Sequence, residues 1–251
     1  RHDARLHVLH ISTADELALF ERGPLIRADG SRKRITAETC IHFLRFDSRD
    51  YATRGNFIKC NPAIKDFGDR QALTRALAED VIDVLATDHA PHTLEEKQQP
   101  YLRAPSGLPL VQFALNAALE CVHEGRLTTA QVVQKFAHAP AQLFDVKQRG
   151  FLREGYRADL VLVDDTPFTV EREQVLSKCG WSPFEGTTFR SRIASTWVNG
   201  HLVWNGRQLV GERGALAAVD AGGAGLERGA PAGPGASLGR AADLPARGSG
   251  G

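Results

Sequence analysis

Residues 81–97 read Val-Ile-Asp-Val-Leu-Ala-Thr-Asp-His-Ala-Pro-His-Thr-Leu-Glu-Glu-Lys, and this stretch constrains the fold more than any other. It opens as an apolar, β-branched run, the pattern of a buried strand. It breaks off at Thr87-Asp88-His89-Ala90-Pro91-His92. Pro91 has no N–H and a fixed φ, so the chain leaves any sheet there. Asp88, His89 and His92 therefore stand within five residues, just past the carboxyl end of a strand, where α/β folds collect ligands and catalytic groups. The plainer reading has Asp88 capping a helix that starts near Thr93, with the histidines in solvated loop.

The same alternation runs through the first two thirds of the chain. Arg5 to Thr13 reads as a strand with His10 at its carboxyl end, followed by a helix over 14–22 that Gly23-Pro24 stops. His7, three residues before His10, falls on the other strand face and reads as structural. Arg34 to Leu44 is the next strand and its exit, with Cys40 a small buried residue. Asp69 to Glu79 is a helix capped by Asp69, with Leu73, Ala76 and Leu77 on its apolar face. Strand, helix, strand, helix, strand predicts a parallel sheet. Further helices are expected over 110–124, from Thr128 or Thr129 to Ala137, and from Pro140 to Phe144. The register then changes to short strands at 155–164, 193–198 and 201–205, the last two joined by the hairpin signal Asn199-Gly200. Residues 211–251 carry half of the chain's 24 glycines and no periodicity, the composition of a disordered tail. Three segments are thus expected, 1–147, 148–210 and 211–251.

A net charge of +1 over 251 residues gives no electrostatic basis for binding nucleic acid or an anionic membrane. No apolar run approaches the ~20 residues of a membrane-spanning helix. The four cysteines are widely spaced, with no Cys-x-x-Cys, which suits a reduced, cytoplasmic protein. The chain starts at Arg1, holds no Met and enters a strand almost at once. It reads as the C-terminal part of a longer protein.

Thr87-Asp88-x-Ala-Pro91-His92 followed by Lys97 resembles a signature of the dihydroorotases, cyclic-amide hydrolases of the amidohydrolase superfamily. Leu6-His-Val-Leu-His10-Ile-Ser-Thr13 resembles their sixth-strand motif, Asn61-Pro62 a segment that contacts the pyrimidine ring, and Ala104-Pro-Ser-Gly107-Leu-Pro109 their substrate loop. Trp181-Ser-Pro-Phe-Glu-Gly186 is also similar, with aromatic packing as its expected job. The resemblance runs in order from about Arg5 to Leu209. It implies an α/β chain forming the C-terminal part of a (β/α)8 TIM-type barrel, about strands six to eight, with part of a small β-sandwich domain.

It also implies a chemistry. Opening a cyclic amide takes an activated nucleophile, a polarised carbonyl and a proton for the leaving nitrogen. The resemblance makes His10 a zinc ligand and Asp88 both a metal-bound carboxylate and the proton carrier. Asn61, His92 and Gly107 would bind substrate: Asn61 orienting the ring, His92 meeting the carboxylate, Gly107 offering backbone. Two zinc ions would be the cofactor, and dihydroorotate and N-carbamoyl-L-aspartate the substrate pair. The expected partners beyond them are a second copy of the chain or an aspartate transcarbamoylase.

The family's first-strand His-x-His-x-Arg, its bridging lysine or substitute and a further zinc histidine have no counterpart here. The chain alone is therefore expected to be inactive and poorly folded. His42-Phe43 replaces a pair of histidines found in many members, and with Glu38-Thr39-Cys40 it leans toward allantoinases and hydantoinases. A non-catalytic subunit supporting an aspartate transcarbamoylase is the reading from another class; retention of His10, Asp88 and His92 argues against it.

Overall fold

The computed structural model describes residues 4–211. β1 (Leu6–Val8), β2 (Ile35–Cys40) and β3 (Val84–Ala86) form a parallel sheet in that order, as the strand–helix alternation predicts. Leu6 lies opposite Ile35, and Glu38 opposite Val84.

The crossovers are less regular than their sequences suggest. Between β1 and β2 the expected helix shrinks to a 3-10 segment, Asp15–Leu19. Its turn is held by Glu16, whose carboxylate accepts the backbone N–H groups of Ser12 and Thr13. After β2 the chain enters the short helix α1 (Ile41–Arg45), then α2 (Tyr51–Arg54). α3 (Phe67–Ala78) leads to β3, and its cap is Asp66, not Asp69. The Asp66 carboxylate accepts the Asp69 N–H at 3.0 Å, so Asp69 sits in the first turn, where its charge still favours the helix dipole.

α4 (Leu94–Lys97) follows the His-rich stretch. A 3-10 turn over Val111–Phe113 opens α5 (Ala114–His123). α6 (Thr129–Val133), a π-helical turn and α7 (Ala139–Leu143) run on without a break. The core lies between the parallel sheet and these helices. Ile11, Ile41, Leu44, Ile58, Leu73, Leu77, Ile82 and Leu85 are fully buried in it.

The antiparallel part comprises β4 (Leu160–Asp164), β5 (Phe168–Thr169), β6 (Thr188–Phe189), β7 (Arg192–Val198) and β8 (His201–Trp204), paired as β4-β7-β8 and β5-β6. Asn199 and Gly200 both have positive φ, the geometry of the tight hairpin their sequence predicts. This sheet is fastened to α5: Asn116 Nδ2 donates to the Ser191 carbonyl, and Glu120 accepts the N–H and Nε of Arg190. Of the tail expected to be disordered, residues 211–251, all but Gly211 lie outside the described residues. Among those described, no helix is long and apolar enough to cross a membrane.

Candidate functional site

The two residues marked out as ligands by sequence share an uncommon backbone. His10 follows β1 by two residues with φ 41°, and Asp88 follows β3 by two residues with φ 48°. Left-handed non-glycine residues are uncommon and gather at functional positions. Beyond His10 the chain is stitched back to β2: Ile11 N–H donates to the Glu38 carbonyl and Thr39 Oγ1 to the Ile11 carbonyl, both at 2.8 Å. Beyond Asp88, His89 Nδ1 accepts the N–H groups of Leu110 and Val111, while Ala90 N–H donates to Leu108. His89 therefore caps the turn that opens α5. Asp88 caps nothing; Thr93 caps α4, in a reciprocal box with Glu96. His7 is structural, bonding Thr36 and Glu38 of β2 at 2.9 and 3.0 Å.

β2 separates the two strand ends. At the usual spacing of neighbouring strands, β1 and β3 run roughly 10 Å apart. Cys40 and Cys60 feel the charge of Asp88, and His42 that of His10. Burial, with the nearby charges of Glu38 and Asp88, pushes the Cys40 thiol far up. Burial first and Asp88 second raise Cys60 to about 12. Neither thiol is a ready thiolate ligand or nucleophile.

His42, on α1, is fully buried, and neither ring nitrogen has a hydrogen-bond partner. Burial, with a smaller contribution from His10, lowers it to about 3, so it stays neutral.

The residues expected to meet substrate form a second cluster. Gly107 has φ 142°, and a Cβ there would lie 2.5 Å from the Ala90 carbonyl oxygen and 2.9 Å from His92 Cδ2. Its N–H donates to the Lys59 carbonyl, two residues before Asn61. Asn61 is exposed and joined to Pro62 by a cis bond. His92 Nε2 donates to the Ser106 carbonyl at 3.0 Å, leaving Nδ1 near the Glu96 carboxylate at 3.8 Å. Gly107, His92 and the approach to Asn61 thus come together.

Two further residues near this cluster have roles the sequence does not assign. His89, grouped by sequence with Asp88 and His92, carries no local signal that it caps the turn opening α5. Lys97 stood at a fixed spacing after His92, but nothing local hints that it would be fully buried.

His10 and Asp88 do not make a metal centre by themselves. Among the described residues no group of three or more His, Cys, Asp or Glu side chains is placed to hold an ion, whereas a catalytic zinc takes three protein ligands.

A sequence profile of the amidohydrolase family matches residues 29–203. The chain belongs to the amidohydrolase family. Among curated proteins it is 34% identical over 203 residues to the dihydroorotase of Clostridium acetobutylicum, which covers 80% of this chain and 46% of that protein. It is 33% identical over 214 residues to the allantoinase of Bacillus velezensis, covering 84% of this chain and 46% of that one. Among solved structures, the L-hydantoinase (dihydropyrimidinase) of Arthrobacter aurescens superposes with a TM-score of 0.75 at 28% identity, over 83% of this chain and 46% of that chain. This amidohydrolase chain therefore spans about half the length of the relatives it matches.

Proposed function

We propose that this chain supplies part of the active site of a zinc-dependent cyclic-amide hydrolase, one that interconverts dihydroorotate and N-carbamoyl-L-aspartate in pyrimidine synthesis. One observation carries the reading. His10 and Asp88 leave the carboxyl ends of parallel strands in left-handed conformations, in an amidohydrolase sequence. In this reading the three parallel strands are the sixth to eighth of a barrel. The remaining strands and metal donors come from a part of the whole protein beyond this chain. The lengths of the relatives support that division, as do exposed Leu6, Leu9 and Ile35 on and just past the first two strands.

Ring opening adds water across the amide: oxygen bonds to the carbonyl carbon, and the ring nitrogen departs with a proton. Asp88 is the group proposed to carry that proton. Asn61 offers an amide donor and acceptor to the ring, Gly107 the second lone pair of its carbonyl, and His92 its imidazole edge to the substrate carboxylate. Zinc would supply an activated water and a polarised carbonyl when bound. The free thiols and the resemblance support a cytoplasmic setting.

The test is an assay of the whole protein with zinc for opening of dihydroorotate. Turnover that vanishes in Asp88→Asn is the expected result. Turnover of allantoin or a hydantoin in place of dihydroorotate would correct the substrate, a second reading that the allantoinase likeness supports. A whole protein that opens none of the three would overturn the proposal.

A further inference from the structure

Lys97 is fully buried, and no carboxylate pairs with it among the described residues. A buried ammonium without a counter-charge persists only where fixed dipoles replace its water. Here three carbonyls do so: Lys97 Nζ donates to Lys59, Pro105 and Gly107 at 3.1, 2.9 and 3.0 Å. An ammonium has three N–H donors and a neutral amine two, so only the charged form serves all three. The Trp181 ring, 5.7 Å from Nζ, closes one side, and its indole N–H holds the His92 carbonyl. Asn56 Nδ2 fixes the position from behind by donating to the carbonyls of Lys97 and Gln99.

The three carbonyls are not scattered. Lys59 begins the segment that leads to Asn61, and Pro105 and Gly107 flank the Ser106 carbonyl that His92 holds. Lys97 itself ends the helix that follows His92. Resting on the function proposed above, we propose that Lys97 is the positioning residue of the substrate side. One ammonium ties the segments bearing Asn61, His92 and Gly107 into a single preformed surface, without touching substrate.

The first test uses the whole protein and does not need activity. Hydrogen–deuterium exchange is measured over residues 56–62 and 103–109, with 35–40 and 114–123 as controls. Lys97→Met keeps the length and apolar stem but removes the donors. Faster exchange in the two loops, by at least about tenfold, with unchanged controls is expected. Unchanged loops, or loops and controls accelerated alike, would overturn the proposal. Should the variant fail to fold, the wild-type whole protein still decides. A Lys97 ammonium resonance protected from water exchange in 15N NMR is expected, and a neutral or freely exchanging amine would sink the idea.

In the whole protein, Lys97→Met is expected to raise KM for the cyclic amide by about tenfold while kcat changes less. A fall in kcat alone would contradict a role on the substrate side. If the wild-type whole protein opens no cyclic amide, the proposed function fails, and the exchange experiment still judges the clamp.

Discussion

The indole N–H of Trp181 donates to the backbone carbonyl of His92 at 2.7 Å, across 89 residues. Trp181 comes from the segment before β6, yet it fixes the loop between β3 and α4. The ring is fully buried, sits edge-on to Phe57 and covers Lys97. Trp181→Phe keeps most of the packing and loses the donor. The expected cost is about 1–2 kcal/mol in urea unfolding, chiefly from a His92 carbonyl left without its partner. An unchanged midpoint would mean that water replaces the indole.

Gly107 leads to a steeper prediction. Its φ of 142° belongs to the backbone region that side chains avoid, and an added Cβ would meet Ala90 and His92. Gly107→Ala must then distort both this loop and the turn after Asp88. The expected destabilisation is about 3 kcal/mol or more, combining the strained backbone with overpacking. Gly125→Ala is the control: its φ is also positive, but its Cβ would meet open space. The difference between the two melting midpoints reads the steric clash together with the extra strain of φ 142° over φ 70°.

The parallel sheet is locked by a buried pair. Lys33 Nζ meets Asp83 Oδ1 at 2.8 Å, and Asp83 Oδ2 accepts the Ala37 N–H at 3.0 Å. Both side chains are buried. Lys33→Met strands the carboxylate between β2 and β3 and should cost about 3–5 kcal/mol. Lys33→Met with Asp83→Leu should cost clearly less than the sum of the single changes, because no charge is then left unpaired. Additive costs in that double-mutant cycle would show that the pair is not coupled.

What was legible in the sequence follows from the range of the forces involved. The parallel order of β1, β2 and β3 could be read because apolar runs alternate with capped helices. The placement of His10 and Asp88 past strand ends follows from Ser-Thr and Ala-Pro stopping each strand. Ile41-His-Phe-Leu44 reads as strand exit and is helical; a short apolar run buried on all sides has no periodicity to choose between the two. Asp66 and Asp69 both fit a cap, and only the first carries the non-helical backbone a cap needs. Trp181 reaches His92 across 89 residues and Lys97 reaches Lys59 across 38, and no local pattern encodes such partners.

His42 gives the pH dependence. It is fully buried, its two ring nitrogens have no partner, and burial holds it at about 3 against an ordinary 6.5. The folded chain therefore takes up no proton at His42 in the range where the unfolded chain does. Stability from this residue is complete above about pH 6.5 and is lost as pH falls toward 3. At the acid end the loss is on the order of 5 kcal/mol, using 1.36 kcal/mol for each pKa unit. His42→Phe puts a ring of similar shape beside Phe43 and removes both the titration and the unpaired nitrogens. The variant should match or exceed the wild-type chain in stability at pH 7. Its stability between pH 6.5 and 3 should fall less steeply, with acid unfolding displaced to lower pH. Parallel profiles for the two chains, measured by urea unfolding at each pH, would mean that His42 finds a partner for its proton in solution.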